Sequence, residues 1–414
     1  MQGIEHAPDL KTRMLMAAVF LLPLWMAGSL LALGAFALLR LVSKTDRKEW
    51  LIQLKRPGWH WVLPLFFLLH AFGLLWSSNL KFGFRDLETK MSFLLIPLLL
   101  SGLDLRKSWS VIRSAFLSGC FLACAYLLLG AFKAYLQHGK GMSFFYIEFS
   151  SPLMHPTYMS MLINLALLLL IQRISETAQE EPSGFKVWGA MVFFWLMLDL
   201  LSARMPFLVT LIGCTGYLIV LVIRKAMPKS SAIGCTVCML IGLAGMVMAS
   251  AYTGRVNEVG QAISASPSGS PGIATYNSTT GRLEIWRQGL ELLPEVMPWG
   301  TGTGDVKDAM LESYRSNDFN YGLKRSLNAH NQYLQTAIAL GVPGLILLLL
   351  ILAIPVLDRG RKVDPIVIWF LLLVALNALV ESILEVQRGV LMVTLFIPLL
   401  MSLGRPRESV HGMT

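Results

Sequence analysis

Apolar runs follow one another from Met14 to Leu403, and only one long polar gap, at about 251–331, interrupts them. A bilayer core takes roughly 20 apolar residues per helix. On that ruler the sequence predicts twelve spans, near 14–26, 27–42, 60–76, 86–102, 110–134, 156–172, 187–203, 206–223, 232–250, 332–357, 364–382 and 389–403. The first pair is the least separable, because 14–42 is nearly unbroken; Pro23 and Gly28 offer a break, and one tilted helix is the alternative. The expected fold is therefore all-α and polytopic, with about twelve transmembrane helices and one large loop carrying amphipathic helices. A soluble domain is excluded, since only 14% of residues are charged against roughly 25% in soluble chains. The first run is too long for a cleavable signal and lacks a small-residue cleavage site, so it should stay as an anchor.

The net charge of +10 does not point to nucleic acid, because the Lys and Arg are not gathered into one basic domain with interleaved aromatics. They sit in short clusters between spans, and such clusters resist translocation. With both ends inside, the cytoplasmic segments collect Lys11 and Arg13, the 44–56 cluster, Arg106 and Lys107, Arg173 and Lys186, Arg224 to Lys229, Arg359 to Lys362, and Arg405 and Arg407. The opposite short loops hold Lys81, Lys140 and Arg388. The chain then divides into helices over 1–250, a large outer loop over 251–331, and helices with a cytoplasmic tail over 332–414, as one integral membrane domain. The five cysteines, Cys120, Cys124, Cys214, Cys235 and Cys238, all lie in apolar segments and read as buried, inert thiols.

Within the large loop, residues 264–272 form a Ser/Pro/Gly run expected to be flexible. Over 282–293, Leu283, Trp286, Leu290 and Leu293 recur at helical spacing, which predicts an amphipathic helix on the membrane or across the mouth of the bundle.

Ionisable residues in apolar surroundings cost about 2.5–3.5 kcal/mol each on insertion scales, which makes each a functional candidate. Arg204 stands between two spans and either snorkels to headgroups or binds an anion in an outward cavity. Arg282 follows Thr279, Thr280 and Gly281, which supply capping and turn chemistry. A cation in a first helical turn opposes the helix dipole, a mismatch that makes sense if Arg and helix end converge on one anion. Arg287 and Arg255 are lesser candidates. Asn328, His330 and Asn331 precede the apolar helix at 332. If Asn328 caps that helix, His330 falls in its first turn, where a neutral imidazole is favoured and can serve as a base.

A further group comprises Arg85, Asp86, Glu88 and Lys90 at one outer span end, His155 and Tyr158 at another, and Glu381, Glu385 and Arg388 at a third. Arg85 with Glu88, and Asp86 with Lys90, alternatively pair along their helix. The loop 300–304 (Gly-Thr-Gly-Thr-Gly) looks like a phosphate loop but follows no strand, so a plain turn is the better reading.

On Ser202-Ala-Arg204, Gly281-Arg282-Leu-Glu-Ile-Trp286, the 300–304 turn, and Asn328-Ala-His330-Asn331-Gln-Tyr333 with trailing Gly341 and Gly344, together with the span layout, the chain resembles the O-antigen ligase and O-antigen polymerase superfamily of bacterial membrane glycosyltransferases. The resemblance covers most of the chain and is strongest from Arg204 to Gly344. It implies a bacterial inner-membrane protein whose active site faces the periplasm. The donor would be a glycan on undecaprenyl diphosphate and the acceptor lipid A-core or a growing glycan, with no metal or cofactor required. Arg204 and Arg282 would hold the diphosphate, and His330 would activate the acceptor hydroxyl for an inverting attack. Asn328 and Asn331 would orient the base or a sugar, and Tyr158 and Trp286 would pack on sugar rings. His155, Arg85 and Lys90 are added to the candidate substrate contacts from their place at outer span ends, not from the resemblance. Ligase is the leading reading and repeat-unit polymerase the close alternative. A non-catalytic lipid or glycan transporter is more distant, because its charges would sit at the midplane of repeated halves.

Overall fold

The computed structural model describes residues 8–56, 58–139, 141–177, 184–253, 276, 278–358 and 361–406. The 264–272 run, Arg255, Lys140, Arg359 and Arg407 lie outside these residues.

The fold is helical throughout, apart from a two-residue antiparallel pairing of Arg361–Lys362 with Arg405–Pro406. In chain order the helices are α1 (Leu10–Leu21), α2 (Met26–Val42), α3 (Lys44–Leu54), α4 (Val62–Phe72), α5 (Leu80–Leu100), α6 (Trp109–His138), α7 (Tyr146–Ser150), α8 (Pro156–Thr177), α9 (Phe185–Leu201), α10 (Arg204–Ile223) and α11 (Lys229–Tyr252). After them come α12 (Ser278–Val296), α13 (Val306–Ser316), α14 (Asn320–Arg325), α15 (Gln332–Leu357), α16 (Pro365–Ala378) and α17 (Gln387–Met401).

Each predicted span is occupied by helix, but among the described residues six are long and apolar enough to cross a membrane: Trp59–Trp76, Trp109–His138, Pro156–Thr177, Arg204–Ile223, Lys229–Tyr252 and Gln332–Leu357. A seventh arises if α2 and α3, bent by 99° at their junction, count as one. The shortfall against twelve has physical causes. The 12 residues of α1 rise only about 18 Å, α5 carries a cluster of charges, and α16 and α17 are short. The structure breaks the 14–42 run into two helices that pack on each other, with Ser29 Oγ donating to the Ala18 carbonyl at 2.7 Å.

The centre of the bundle is α8, apolar on every side and buried along nearly its whole length, as expected of a helix with neighbours all round. Around it stand α6, α9, α10, α16 and α17. Buried cations near other helix ends find acceptors: Arg40 donates to the Ser101 carbonyl at 2.8 Å and to that of Leu99, and Arg113 pairs with Glu176 at 2.7 Å. All five cysteines are buried and unpaired.

The described part of the 251–331 segment has its own small core. Ile285 of α12, Val306, Met310 and Tyr314 of α13, and Phe319 pack with Leu334 and Ile338 of α15. On α12, Leu283 and Leu290 are exposed, Trp286 and Leu293 pack against this core, and the face carrying Ile285, Gln288 and Gly289 turns inward. The helix also starts at Ser278, so Thr279, Thr280 and Gly281 lie inside it and Arg282 stands a full turn from its end.

The Gly-Thr-Gly-Thr-Gly loop is a brace. Its Thr301 and Gly302 amides donate to the Ile338 and Ala339 carbonyls at 2.8 and 2.9 Å, where α15 is interrupted. At that point Gly341 takes φ 62° and Val342 N donates to the Pro298 carbonyl at 2.9 Å. A Cβ on Gly341 would fall 1.9 Å from that same oxygen, so only glycine fits. Thr303 Oγ1 donates to the His70 carbonyl at 2.7 Å, and Asp305 accepts from the Ser78 and Asn79 amides, each at 2.7 Å. The loop amides thus serve helix breaks and helix starts, not a phosphate.

Candidate functional site

The break at Gly341 leaves residues 332–340 as a short, nearly wholly buried half-helix, about 13 Å long, whose start carries the site. Asn331 is its N-cap, accepting from Leu334 N at 3.0 Å. Asn328 is not the cap: its Oδ1 accepts from His330 N at 3.1 Å. His330 therefore precedes the helix rather than lying in its first turn, and its φ of 43° is a left-handed conformation no helix interior accommodates. Trp286 Nε1 donates to the His330 carbonyl at 3.3 Å, so this indole holds the backbone beneath the imidazole.

The imidazole meets an acid that sequence reasoning placed only among outer-end charges. His330 Nδ1 lies 3.1 Å from Glu381 Oε1, and Arg282 Nη2 lies 3.5 Å from Glu381 Oε2. Glu381 belongs to the turn after α16 and is buried, whereas His330 and Arg282 are partly exposed. An ionised carboxylate only accepts, so Nδ1 donates to it, and in a neutral ring that leaves Nε2 as the acceptor. Burial pushes the Glu381 carboxyl up, but the hydrogen bond from His330 and the charges of His330, Arg282 and His155 outweigh it and hold the group below its ordinary value.

Directly beneath, Glu385 joins a second set of charges. Lys90 Nζ, fully buried, lies 3.0 Å from Glu385 Oε2 and 2.5 Å from Asp86 Oδ1. Asp86 Oδ2 faces His70 Nδ1 at 3.6 Å. Gln332 donates to Glu385 Oε1 at 3.1 Å and accepts from Leu384 N at 2.7 Å. Lys90, expected among the substrate contacts, stands halfway along α5 with its ammonium enclosed by protein. Arg85, by contrast, is exposed, and among the described residues it forms no ion pair with Glu88.

His155 stands at the head of α8, where partial burial of its ring, more than the mutually opposed charges of Glu381, Arg282 and His330 nearby, lowers its pKa. Its ring centroid is 6.3 Å from that of Tyr158. Tyr158 is buried and lines a narrow gap with Met154, Leu162 and Arg388. The Nη1 of Arg388 is buried without a hydrogen-bond partner. Arg204 is the half-buried first residue of α10. That helix runs alongside α8, with Asn164 Nδ2 donating to the Pro206 carbonyl at 3.1 Å, so Arg204 and His155 head neighbouring helices. Arg287 is a solvated face charge, bridged to Glu284 at 2.6 Å and Glu291 at 2.5 Å.

The structure therefore brings together His330, Arg282 and Trp286, with Asn328 and Asn331 shaping the turn and His155 alongside. Glu381 was visible in the sequence, but its partnership with His330 was not. The only signal was an acid at the outer end of the span after the His330 helix.

Among the described residues no group of three or more His, Cys, Asp or Glu is placed to hold a metal ion. No curated protein matches the chain. Residues 189–349 match the family model described as O-antigen ligase, a stretch that contains Arg204, Arg282 and His330.

Proposed function

We propose that the protein transfers a glycan from undecaprenyl diphosphate to a hydroxyl of a lipid A-core acceptor at the periplasmic face of the bacterial inner membrane. One observation carries the reading: a partly exposed imidazole is oriented by a buried carboxylate whose other oxygen faces an arginine. In the proposed step His330 Nε2 takes the proton of the acceptor hydroxyl as its oxygen attacks the anomeric carbon. The bond from that carbon to the diphosphate oxygen breaks on the opposite face, and its electron pair leaves with the undecaprenyl diphosphate, inverting the centre. Glu381 accepts the Nδ1 hydrogen bond and stabilises the imidazolium that forms. Arg282, joined by Arg204, meets the charge growing on the leaving diphosphate, where charge-assisted bonds are strongest. Base assistance of this kind is worth about 10²–10⁴-fold.

In the same reading the chain crosses the membrane twelve times, α3 lies along the cytoplasmic surface, both termini are cytoplasmic, and α12 to α14 cover the periplasmic mouth. Trp286 and Tyr158 line the sugar path, Asn328 and Asn331 set the base, and Arg85 and His155 stand at its rim.

The test uses purified protein in lipid with an undecaprenyl-diphosphate-linked glycan and a lipid A-core acceptor. Arg204→Ala, Arg282→Ala and His330→Ala should each abolish transfer while the protein remains folded, and full activity in all three refutes the reading. Replacing the acceptor with a second donor molecule separates the two chemistries: chain elongation there, with none on lipid A-core, assigns the protein as a repeat-unit polymerase.

A further inference from the structure

We propose that Lys90 is a positioning residue for His330, acting through the ion pair that ties it to Glu385. The inference rests on the reading of His330 as the base.

A lysine with no exposed surface is costly to keep charged, and one carboxylate a turn away on the same helix would suffice to neutralise it. Asp86 is already in that place, 2.5 Å from Nζ. The second carboxylate is brought from 295 positions along the chain. Glu385 closes the 3₁₀ turn Ile383–Glu385, and Glu381 stands at the other end of the same five residues. Two routes lead from Glu385 to the imidazole. Along the chain, Glu385 N donates to the Ser382 carbonyl at 3.2 Å, and Glu381 N to that of Asn377 at 3.0 Å, so the turn is fixed at both ends. Across it, Glu385 Oε1 holds Gln332, whose own Oε1 takes the Leu384 amide. Gln332 is two residues from His330.

These contacts form a ring running from His330 through Glu381, the turn, Glu385 and Gln332 back to His330. Among the described residues Lys90 is the one cation that grips the ring from within the bundle, and Asp86, with His70 behind it, grips Lys90 from the far side. If the ammonium is lost, Glu385 is left beside Asp86 with no positive charge between them. The turn then has reason to move, and Glu381 moves with it. A displacement of about 1 Å at a catalytic group can cost about 10²-fold in rate.

The experiment compares Lys90→Met, Glu381→Gln, the double variant and His330→Ala, each purified in lipid and checked for folding by thermal unfolding. Lys90→Met is expected to lower kcat by about 10- to 100-fold with donor KM within threefold of wild type. Combined with Glu381→Gln it should lower kcat no further than Glu381→Gln alone, because both act through one carboxylate. A purely structural lysine would give effects on kcat that multiply, and that result, or an unchanged kcat in Lys90→Met, overturns the inference. If Lys90→Met does not fold, Glu385→Gln replaces it in the same cycle, with the same expected and refuting outcomes. Activity in His330→Ala defeats the underlying reading instead, and so distinguishes the two failures.

Discussion

Replacing Glu381 by Gln changes little in size and removes one negative charge from the centre of the site. The carboxylate lies 3.1 Å from His330 Nδ1, and at an effective dielectric of about 20 two unit charges at that separation attract by about 5 kcal/mol. That is the gross attraction between Glu381 and the imidazolium formed during transfer, and desolvation offsets part of it. If about half survives in the transition state, the loss is about 2.7 kcal/mol, or about 10²-fold at about 1.4 kcal/mol per decade. A second effect adds to it: a Gln side chain can turn its NH₂ to Nδ1, which forces the proton onto Nε2 and removes the acceptor the reaction needs. Glu381→Gln should therefore lower kcat by 10²-fold or more, on the order of 10²–10⁴, without weakening the grip on the donor. The assay is turnover of a lipid-linked glycan by purified enzyme across a range of donor concentrations, so that kcat and KM separate. A kcat within threefold of wild type would show that the 3.1 Å contact does not orient the base.

Three more outcomes follow from the same geometry. Asn331→Ala removes the side-chain cap of α15, which should lower stability by about 1 kcal/mol and shift the thermal midpoint down, with a further loss of turnover because His330 is the adjoining residue. Gly341→Ala places a Cβ 1.9 Å from the Pro298 carbonyl at a positive φ, so folded yield should collapse, whereas Gly34→Ala meets nothing within 4 Å and should leave yield intact, as fluorescence size-exclusion of both variants will test. The Glu381 carboxyl is held below its ordinary value of 4.5, so its stabilising contribution is present above that value and is lost as pH falls through the depressed folded value; wild type should unfold at a higher temperature than Glu381→Gln at neutral pH, and the two curves should converge only in stronger acid.

The apolar segments were legible because burial in lipid demands apolar helices, and a helix occupies every predicted span, although among the described residues six are long and apolar enough to cross a membrane. Site residues were legible where chemistry is local: His330 between two asparagines, and Arg282 on a loop helix. Cap choice was not, since Asn328 and Asn331 are equally good caps by type and the left-handed turn at His330 decides between them. The inward contacts of α12 were hidden as well, because it carries apolar residues on two faces: Leu283 and Leu290 lie exposed on the periodic stripe, while Ile285 is buried. The least legible features are pairings across the fold. Nothing near Lys90 announces Glu385, and nothing near His330 announces Glu381, because each partner reads locally as an ordinary charge at a helix end.

Glu381 is shared, with one oxygen 3.1 Å from His330 and the other 3.5 Å from Arg282. A diphosphate offers the guanidinium more charge and two-point contacts, so a bound donor competes with Glu381 for Arg282. As Arg282 turns to the donor, Glu381 is left to His330 alone, and the base is best oriented when the leaving group is already held. Donor binding should then precede acceptor activation. The same competition predicts that Glu381→Gln, which frees Arg282 from a rival anion, binds inorganic diphosphate several-fold more tightly than wild type while turning over more slowly. Titration of both proteins with inorganic diphosphate by calorimetry measures this, with Arg282→Ala as the control that should bind less in either background. Equal affinity in wild type and Glu381→Gln would mean that Arg282 does not exchange partners and that the 3.5 Å contact plays no part in binding.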